Sequence, residues 1–357
     1  MHRLRRSLQI LEEVATPHGL DRYLELLHPM LALRELRAVI TDVAPAPGSN
    51  LVLTLRPGRG WRGFAAGQYV RIGVDVDGVH HVRCFSPSCS QHRGDGRIEL
   101  TVRAHDGGRV TPWLRAHARA GQVVALSQAE GSFRLPTPRP RRLLLISGGS
   151  GITPVLSMLR TLADENHTGE IVFLHYARSV ADVPHRAELR RIEAAHAGVR
   201  VVLVATTVPD AADHAGHFEP AHLAEAASWY AEAPAYLCGP PRMQAAIRAH
   251  FVANGIADNL QVEQFALARY VSTGAVGGRV RFGDVVVDNS GATLLEQAEA
   301  AGLTPDYGCR MGICFTCPKV KSTGCTRDIR SGETHTEPNT AIQLCISVPV
   351  GDVAIEM

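Results

Sequence analysis

Long apolar runs are missing from this chain of 357 residues. The longest have strand length, such as Val199 to Val204 with Arg200 inside it, well short of the roughly 18 residues needed to cross a bilayer. No transmembrane segment is expected. The opening Met-His-Arg-Leu-Arg-Arg is followed by no apolar core of signal-peptide length, so a cytoplasmic protein is expected. An excess of one charge is also absent: 37 Lys plus Arg face 35 Asp plus Glu, a net +2. No global field draws the chain to nucleic acid, and no such partner is expected. Lysine is nearly absent, standing only at positions 319 and 321, a bias of composition from which no function is read. What remains is ordinary globular composition, 45% hydrophobic and 20% charged, in a length that allows two or three domains.

Four stretches follow one another. Residues 1–40 read as a helical extension, with Leu20, Leu24 and Leu27 at helical spacing and a break at His28-Pro29. Residues 41–135 hold short alternating segments (Leu51 to Leu55, Tyr69 to Val74, Ile98 to Val102, Val123 to Leu126) between Gly/Pro turns, predicting a small β-barrel. This stretch is basic, with 12 Arg against 7 acids. Residues 136–270 begin with the stiff connector Pro136, Pro138, Pro140, then alternate strands (about 141–147, 170–177, 199–205, 235–238) with helices (153–165, 184–196, 220–231, 240–254). That alternation predicts an α/β domain on a parallel sheet. Residues 271–357 open on a linker near Ser272 to Gly278 and run strand, strand, helix (Thr293 to Ala301), cysteine loop and closing strands.

Five of the eight cysteines fall in the last 49 residues. Cys309, Cys314 and Cys317 stand as Cys-x4-Cys-x2-Cys, and Cys345 follows 27 intervening residues later, the plant-type ferredoxin spacing for a [2Fe-2S] cluster. A four-cysteine zinc site is the alternative, but zinc ribbons present two short CxxC knuckles and one occurs here. Cys325 is a rival fourth ligand, although Ser322-Thr323-Gly324-Cys325 reads as a hairpin turn. None of the 17 histidines stands in an HxxxH or HExxH arrangement. The stretch from Arg279 to Met357 resembles plant-type ferredoxin domains, which implies a β-grasp fold and one-electron transfer.

Arg83-Cys84-Phe85-Ser86, with Gly67-Gln68-Tyr69-Val70 before it and Gly107-Gly108-Arg109-Val110-Thr111 after it, resembles the flavin site of the ferredoxin-NADP reductase family. The chemistry fits the residue types: a guanidinium neutralises phosphate, an aromatic two positions on lies against the flavin ring, and a hydroxyl reaches N5. Phe85 stands where the family more often has Tyr, which keeps the stacking face. Gly107 to Thr111 opens an apparent helix whose amides can hold a pyrophosphate, and Gly131 to Phe133 pads the same ligand. Gly148-Gly149-Ser150-Gly151-Ile152-Thr153-Pro154, between a buried strand and a helix, and Cys238-Gly239-Pro240-Pro241 resemble the nicotinamide domain of the same family. That resemblance implies Thr153, Cys238 and Ser86 near the reacting atoms, with Phe265 shielding the flavin. Arg178, Ser179 and Arg186 could receive a 2′-phosphate, which favours NADPH; Asp182 is close, so NADH stays an alternative.

The domain order resembles hydroxylase and desaturase reductases of this superfamily. It implies hydride transfer from NADPH to FAD, then single-electron delivery through the cluster to a terminal oxygenase or desaturase. Arg22-Tyr23-Leu24-x-Leu26-Leu27-His28-Pro29 resembles the extension on reductases that serve membrane-bound diiron enzymes. Two alternatives stay open: an FMN-type reductase of a Rieske dioxygenase, and a redox-sensing module. A monomer is the default expectation.

Overall fold

A computed structural model describes residues 30, 35–104, 108–208, 211–265, 277–308, 310–312 and 315–357. The expected N-terminal helices, the linker, Gly107, Cys309 and Cys314 lie wholly or mainly outside the described residues.

Six antiparallel strands form the first sheet: β1 (Arg37–Ala46), β2 (Asn50–Pro57), β3 (Val70–Val76), β4 (Val79–Phe85), β5 (Ile98–Arg103) and β6 (Val123–Leu126), in the order β4-β3-β6-β1-β2-β5. Alternating side chains such as Ile40, Leu53, Leu55, Ile72, Ile98 and Leu100 point to one core. Just past β4 the chain meets β5, where Pro87 bridges Leu100 and the Ser88 amide donates to the Glu99 carbonyl at 2.8 Å, so the two edges approach and the sheet curls. β1 begins at Arg37, four residues ahead of the expected boundary, and carries a bulge between Ile40 and Asp42. Helix α1 (Val110–His117) follows β5.

The second sheet is wholly parallel: β7 (Arg142–Gly148), β8 (Glu170–Ala177), β9 (Val199–Ala205), β10 (His214–Ala215), β11 (Ala235–Cys238) and β12 (Leu260–Glu263), in the order β10-β9-β8-β7-β11-β12. Helices α2 (Ile152–Asp164), α3 (Arg186–Ala195), α4 (Pro220–Ala226) and α5 (Pro241–Ala253) flank it. Leu143 and Leu145 enter one core, and Leu144 and Ile146 enter the other, so both faces are covered. The helix expected over 220–231 is shorter: the backbone leaves helical geometry at Ala227, and a separate turn of 3₁₀ helix covers Tyr230–Glu232. Ala66, Phe133 and Leu135 join the first of these cores, which welds the curled sheet to α2.

The third sheet is mixed. It comprises β13 (Arg279–Phe282), β14 (Val285–Asp288), β15 (Pro318–Asp328), β16 (Thr334–His335), β17 (Thr340–Gln343) and β18 (Ser347–Ile355), with β13 parallel to β18 and the other pairs antiparallel. Helix α6 (Leu294–Ala300) packs on it behind a capping box in which Thr293 and Glu296 satisfy each other's backbone amides. Cys325 sits in β15 opposite Val350, at a bulge where Gly324 takes φ +93°; the expected hairpin turn is not there. A Ser-Thr-Gly run reads as a turn, but here the glycine serves a bulge.

Candidate active site

The parallel sheet reverses its strand order between β7 and β11, and a crevice opens there at the carboxyl ends of the strands. The Gly148–Gly151 turn leaves β7, and Cys238-Gly239 leaves β11 beside it, in register through Cys238 and Ser147. A side chain at Gly151 would run into the Cys238 carbonyl, so glycine alone lets the two turns close. Gln244 ties the far side by donating to the carbonyls of Gly239 and Glu263, each at 2.8 Å. Pro240 precedes α5, and Pro154 is buried in the first turn of α2.

A cavity of about 290 Å³ lies against this crevice. Its wall brings together Arg83, Cys84, Phe85 and Ser86 of β4 and its end, Gly108, Arg109, Val110 and Thr111 at the start of α1, Thr153 of α2, and Phe265. Cys238, Gly148, Gly149, Gly151, Pro154, Gly239 and Pro240 stand behind or beside this wall, and Cys238 is fully buried. Burial pushes the Cys238 thiol well above its usual range, so it stays protonated.

Among the other residues of the wall, four bear on its chemistry. Tyr69 contributes an aromatic face, its phenol raised by burial and held toward Glu130 at 3.4 Å. Arg103 lines the cavity and comes within 3.2 Å of where a Gly149 side chain would begin. Met311 enters from the cysteine loop. Glu263 ends β12 directly across from Cys238. Burial pushes its carboxyl up to about 8, and nearby Ser86 offsets this only in part. The residue as a whole is half-buried, but its Oε2 is sealed from solvent, and neither that atom nor the Ser86 hydroxyl has a hydrogen bond of ordinary geometry. Two orphaned polar atoms facing one cavity are a place prepared for a ligand. Arg103 has no local motif to reveal it, Tyr69 stands inside the Gly67-Gln68-Tyr69-Val70 run without a role of its own, and Glu263 lies on a strand the sequence did not announce.

The cavity suits a flavin: aromatic faces at Tyr69 and Phe85, an orphaned hydroxyl at Ser86, and the start of α1, without a side-chain cap, on the same wall. Arg83 Nη1 donates to the carbonyls of Val82 at 2.8 Å and Gly308 at 2.9 Å, which leaves Nε and Nη2 without a hydrogen bond to any described residue. A second, strongly basic cavity of about 490 Å³ lies next door, lined by Arg103, Arg115 and Arg178 with Gly48 and Ser49. Arg178 is 69% exposed and 4.0 Å from Asp182. Ser179 caps a 3₁₀ turn by accepting from the Ala181 amide.

Of the four thiol residues at ferredoxin spacing, Cys317 and Cys345 are described and both are buried. The Leu344 amide donates to the Cys317 carbonyl at 3.1 Å, which sets the Cys345 turn against Cys317. Gly312, at φ +70°, packs on Ile346 so closely that a Cβ would lie 2.5 Å from it, and Arg330 holds the Gly312 carbonyl at 3.0 Å. The described part of the cysteine loop therefore lies on the Cys345 turn. No group of three or more metal-ligating side chains occurs among the described residues.

An antiparallel flavin-type sheet, a parallel nucleotide-type sheet and a cavity at their junction define a flavin- and nicotinamide-dependent oxidoreductase. Residues 50–135 match the oxidoreductase FAD-binding domain family and residues 145–249 the oxidoreductase NAD-binding domain family. The chain belongs to the ferredoxin-NADP reductase superfamily and is an NAD(P)H oxidoreductase. It is 34% identical to an NADPH oxidoreductase of Mycobacterium tuberculosis over all of this chain and 92% of the relative. It is 27% identical to the glycine betaine monooxygenase reductase subunit of Pseudomonas aeruginosa, over 82% of this chain and 87% of that one. A solved phthalate dioxygenase reductase, described as a modular structure for electron transfer from pyridine nucleotides to [2Fe-2S], shares the fold at TM-score 0.57 and 18% identity, over 91% of this chain and 98% of that one. No helix among the described residues is long and apolar enough to cross a membrane.

Proposed function

We propose that this protein is the reductase component of an oxygenase or desaturase system, using NADPH, FAD and a [2Fe-2S] cluster. The observation that carries this reading is the shared wall of the cavity, where Phe85 and Ser86 of the first sheet, Thr153 and Glu263 of the second, and Met311 of the cysteine loop face one space. When bound, the flavin accepts a hydride and the cluster exchanges single electrons, so one NADPH and two oxidised acceptors become NADP⁺, a proton and two reduced acceptors.

In this reading Arg83, Arg109 and the α1 amides hold the flavin phosphates, Phe85 and Tyr69 flank its ring, and Phe265 covers the opposite face. Ser86 offers a hydroxyl at the hydride-accepting edge, and Glu263 keeps a proton beside it. Thr153 and the Gly148–Gly151 turn orient the nicotinamide half of NADPH, while Cys238 keeps water from the reacting edge. Cys309, Cys314, Cys317 and Cys345 ligate the cluster; the Leu344 to Cys317 hydrogen bond and the packing of Gly312 on Ile346 favour Cys345 over Cys325. Arg178, joined by Arg103 and Arg115, receives the 2′-phosphate, which is why NADPH is preferred to NADH. The names of the relatives, an NADPH oxidoreductase and a monooxygenase reductase subunit, support the donor and the class of acceptor.

Anaerobic titration with NADPH and then NADH, followed by absorbance and low-temperature EPR, tests the reading. Flavin bleaching with a rhombic [2Fe-2S] signal supports it. Bleaching without that signal removes the cluster, and release of FMN in place of FAD turns the assignment to a phthalate-dioxygenase-type reductase.

A further inference from the structure

Strand β4 and the cysteine loop meet at a cluster of cationic and aromatic side chains with no part in holding nicotinamide. The Tyr307 ring has the Arg310 guanidinium 4.1 Å from its centroid and the Arg83 guanidinium 5.5 Å from it, and the His81 ring 6.3 Å away. Arg83 and His81 belong to β4, while Tyr307 and Arg310 bracket the first cysteine of the loop. Arg83 also donates to the Gly308 carbonyl at 2.9 Å across 225 residues of sequence. Arg310 is steadied from behind by its ion pair with Glu299 of α6. Met311, next along the loop, lines the flavin-type cavity itself.

Two guanidinium groups on one ring form a clamp. Each is attracted to the negative π-face, and a ring that bridges two otherwise repelling cations gains from both. One of the cations is fixed in β4 beside the cavity and the other in the cysteine loop, so the ring is the piece that joins the two units.

We propose that Tyr307 is a positioning residue that docks the cysteine loop on the wall of the flavin cavity, and that electrons reach the loop's cluster within one molecule through this contact. The inference rests on the flavin and cluster reading above. Each crossing moves one electron, and the two supplied by one hydride cross in succession, so the contact must hold or re-form between crossings.

The test compares the full-length wild type with Tyr307→Ala and Tyr307→Phe. Flavin content, iron content and the rate at which NADPH bleaches the flavin are expected to match in all three. After bleaching, cluster reduction followed by stopped-flow absorbance is expected to slow about tenfold in Tyr307→Ala and to stay near wild type in Tyr307→Phe, which keeps the π-face. Hydrogen exchange supplies a readout independent of turnover: amides of Val79–Phe85 and residues 303–308 are expected to exchange faster in Tyr307→Ala alone. Unchanged cluster reduction and unchanged exchange in Tyr307→Ala would overturn the proposal. A wild type that lacks flavin or cluster would instead overturn the functional reading beneath it, and the two failures are distinguishable.

Discussion

The Arg160 guanidinium on α2 lies 2.6 Å from the Glu99 carboxylate on β5, and so fastens the nucleotide sheet to the curled sheet. The same group donates to the Ser88 carbonyl at 2.7 Å and pairs with Glu188 of α3 at 2.5 Å. Ser157 adds a bond to the Cys89 carbonyl at 2.7 Å. The junction that frames the active site is thus a mostly buried polar network, satisfied on both sides.

Replacing Arg160 by leucine strands Glu99 and Glu188. The expected cost is about 3 kcal/mol or more, because a buried carboxylate left without its partner keeps its desolvation penalty. Urea unfolding of the two proteins checks this.

The same network sets an acid limit. Burial alone would raise the Glu188 carboxyl, but His185 at 3.6 Å and the Arg160 guanidinium bonded to it bring it down to about 2. His175 is fully buried, and desolvation brings it down to about 3. In both cases the unfolded chain binds more protons than the folded one, so stability rises with pH across the window. Stability is expected to be lost as pH falls from about 6.5 through 3 for His175, and from about 4.5 through 2 for Glu188. Denaturant midpoints at stepped pH should show both slopes, with the first reduced in His175→Leu.

Glu263 acts in the opposite direction. Its folded-state value near 8 means that the carboxyl is neutral at physiological pH and ionises only in mild alkali, so its contribution to stability declines between about 4.5 and 8. A carboxylate formed beside the hydride acceptor opposes incoming negative charge. Flavin reduction by NADPH should therefore slow above pH 8, and Glu263→Gln should flatten that profile. Ser86→Ala should lower the rate by about tenfold to hundredfold at all pH values, with FAD still bound. Stopped-flow bleaching across pH 6 to 10 measures both.

Cysteine replacement separates the two candidates for the last cluster ligand. Cys345→Ser is expected to abolish the [2Fe-2S] EPR signal and the bound iron. Cys325→Ser, changed within β15 opposite Val350, is expected to retain both.

Nucleotide choice is tested at the basic cavity. Arg115→Ala and Arg178→Ala should each raise KM for NADPH by about tenfold, the worth of a charge-assisted hydrogen bond, with little effect on KM for NADH. An equal rise for both nucleotides would place the 2′-phosphate elsewhere.

Much of this was legible in the sequence where one local rule decides the structure. The strands expected at 170–177, 199–205 and 235–238 coincide with β8, β9 and β11, because each is an apolar run bounded by turn residues and buried on both faces. Arg200 does not break its strand: it bonds out of the sheet to the Glu225 and Ala226 carbonyls. β1 escaped because Thr41 and Asp42 interrupt its alternation at the bulge. The Arg83 to Gly308 and Cys238 to Glu263 relationships were not legible, since they depend on segments that only tertiary folding brings together. Arg83, assigned to phosphate from its motif, was seen with one partner; its reach to the cysteine loop carries no sequence mark.

The wall of the central cavity runs from Tyr69 to Met311 and draws on the first two sheets and on the cysteine loop of the third unit. A ligand that fills it touches every folding unit at once, so its affinity is also cohesion between them. By mass action, flavin at a hundredfold excess over its Kd adds about 2.7 kcal/mol to the assembled state and little to any sheet alone. On heating, flavin fluorescence should therefore rise as the sheets part and free the ligand, which makes flavin release a thermometer for the joints of the molecule.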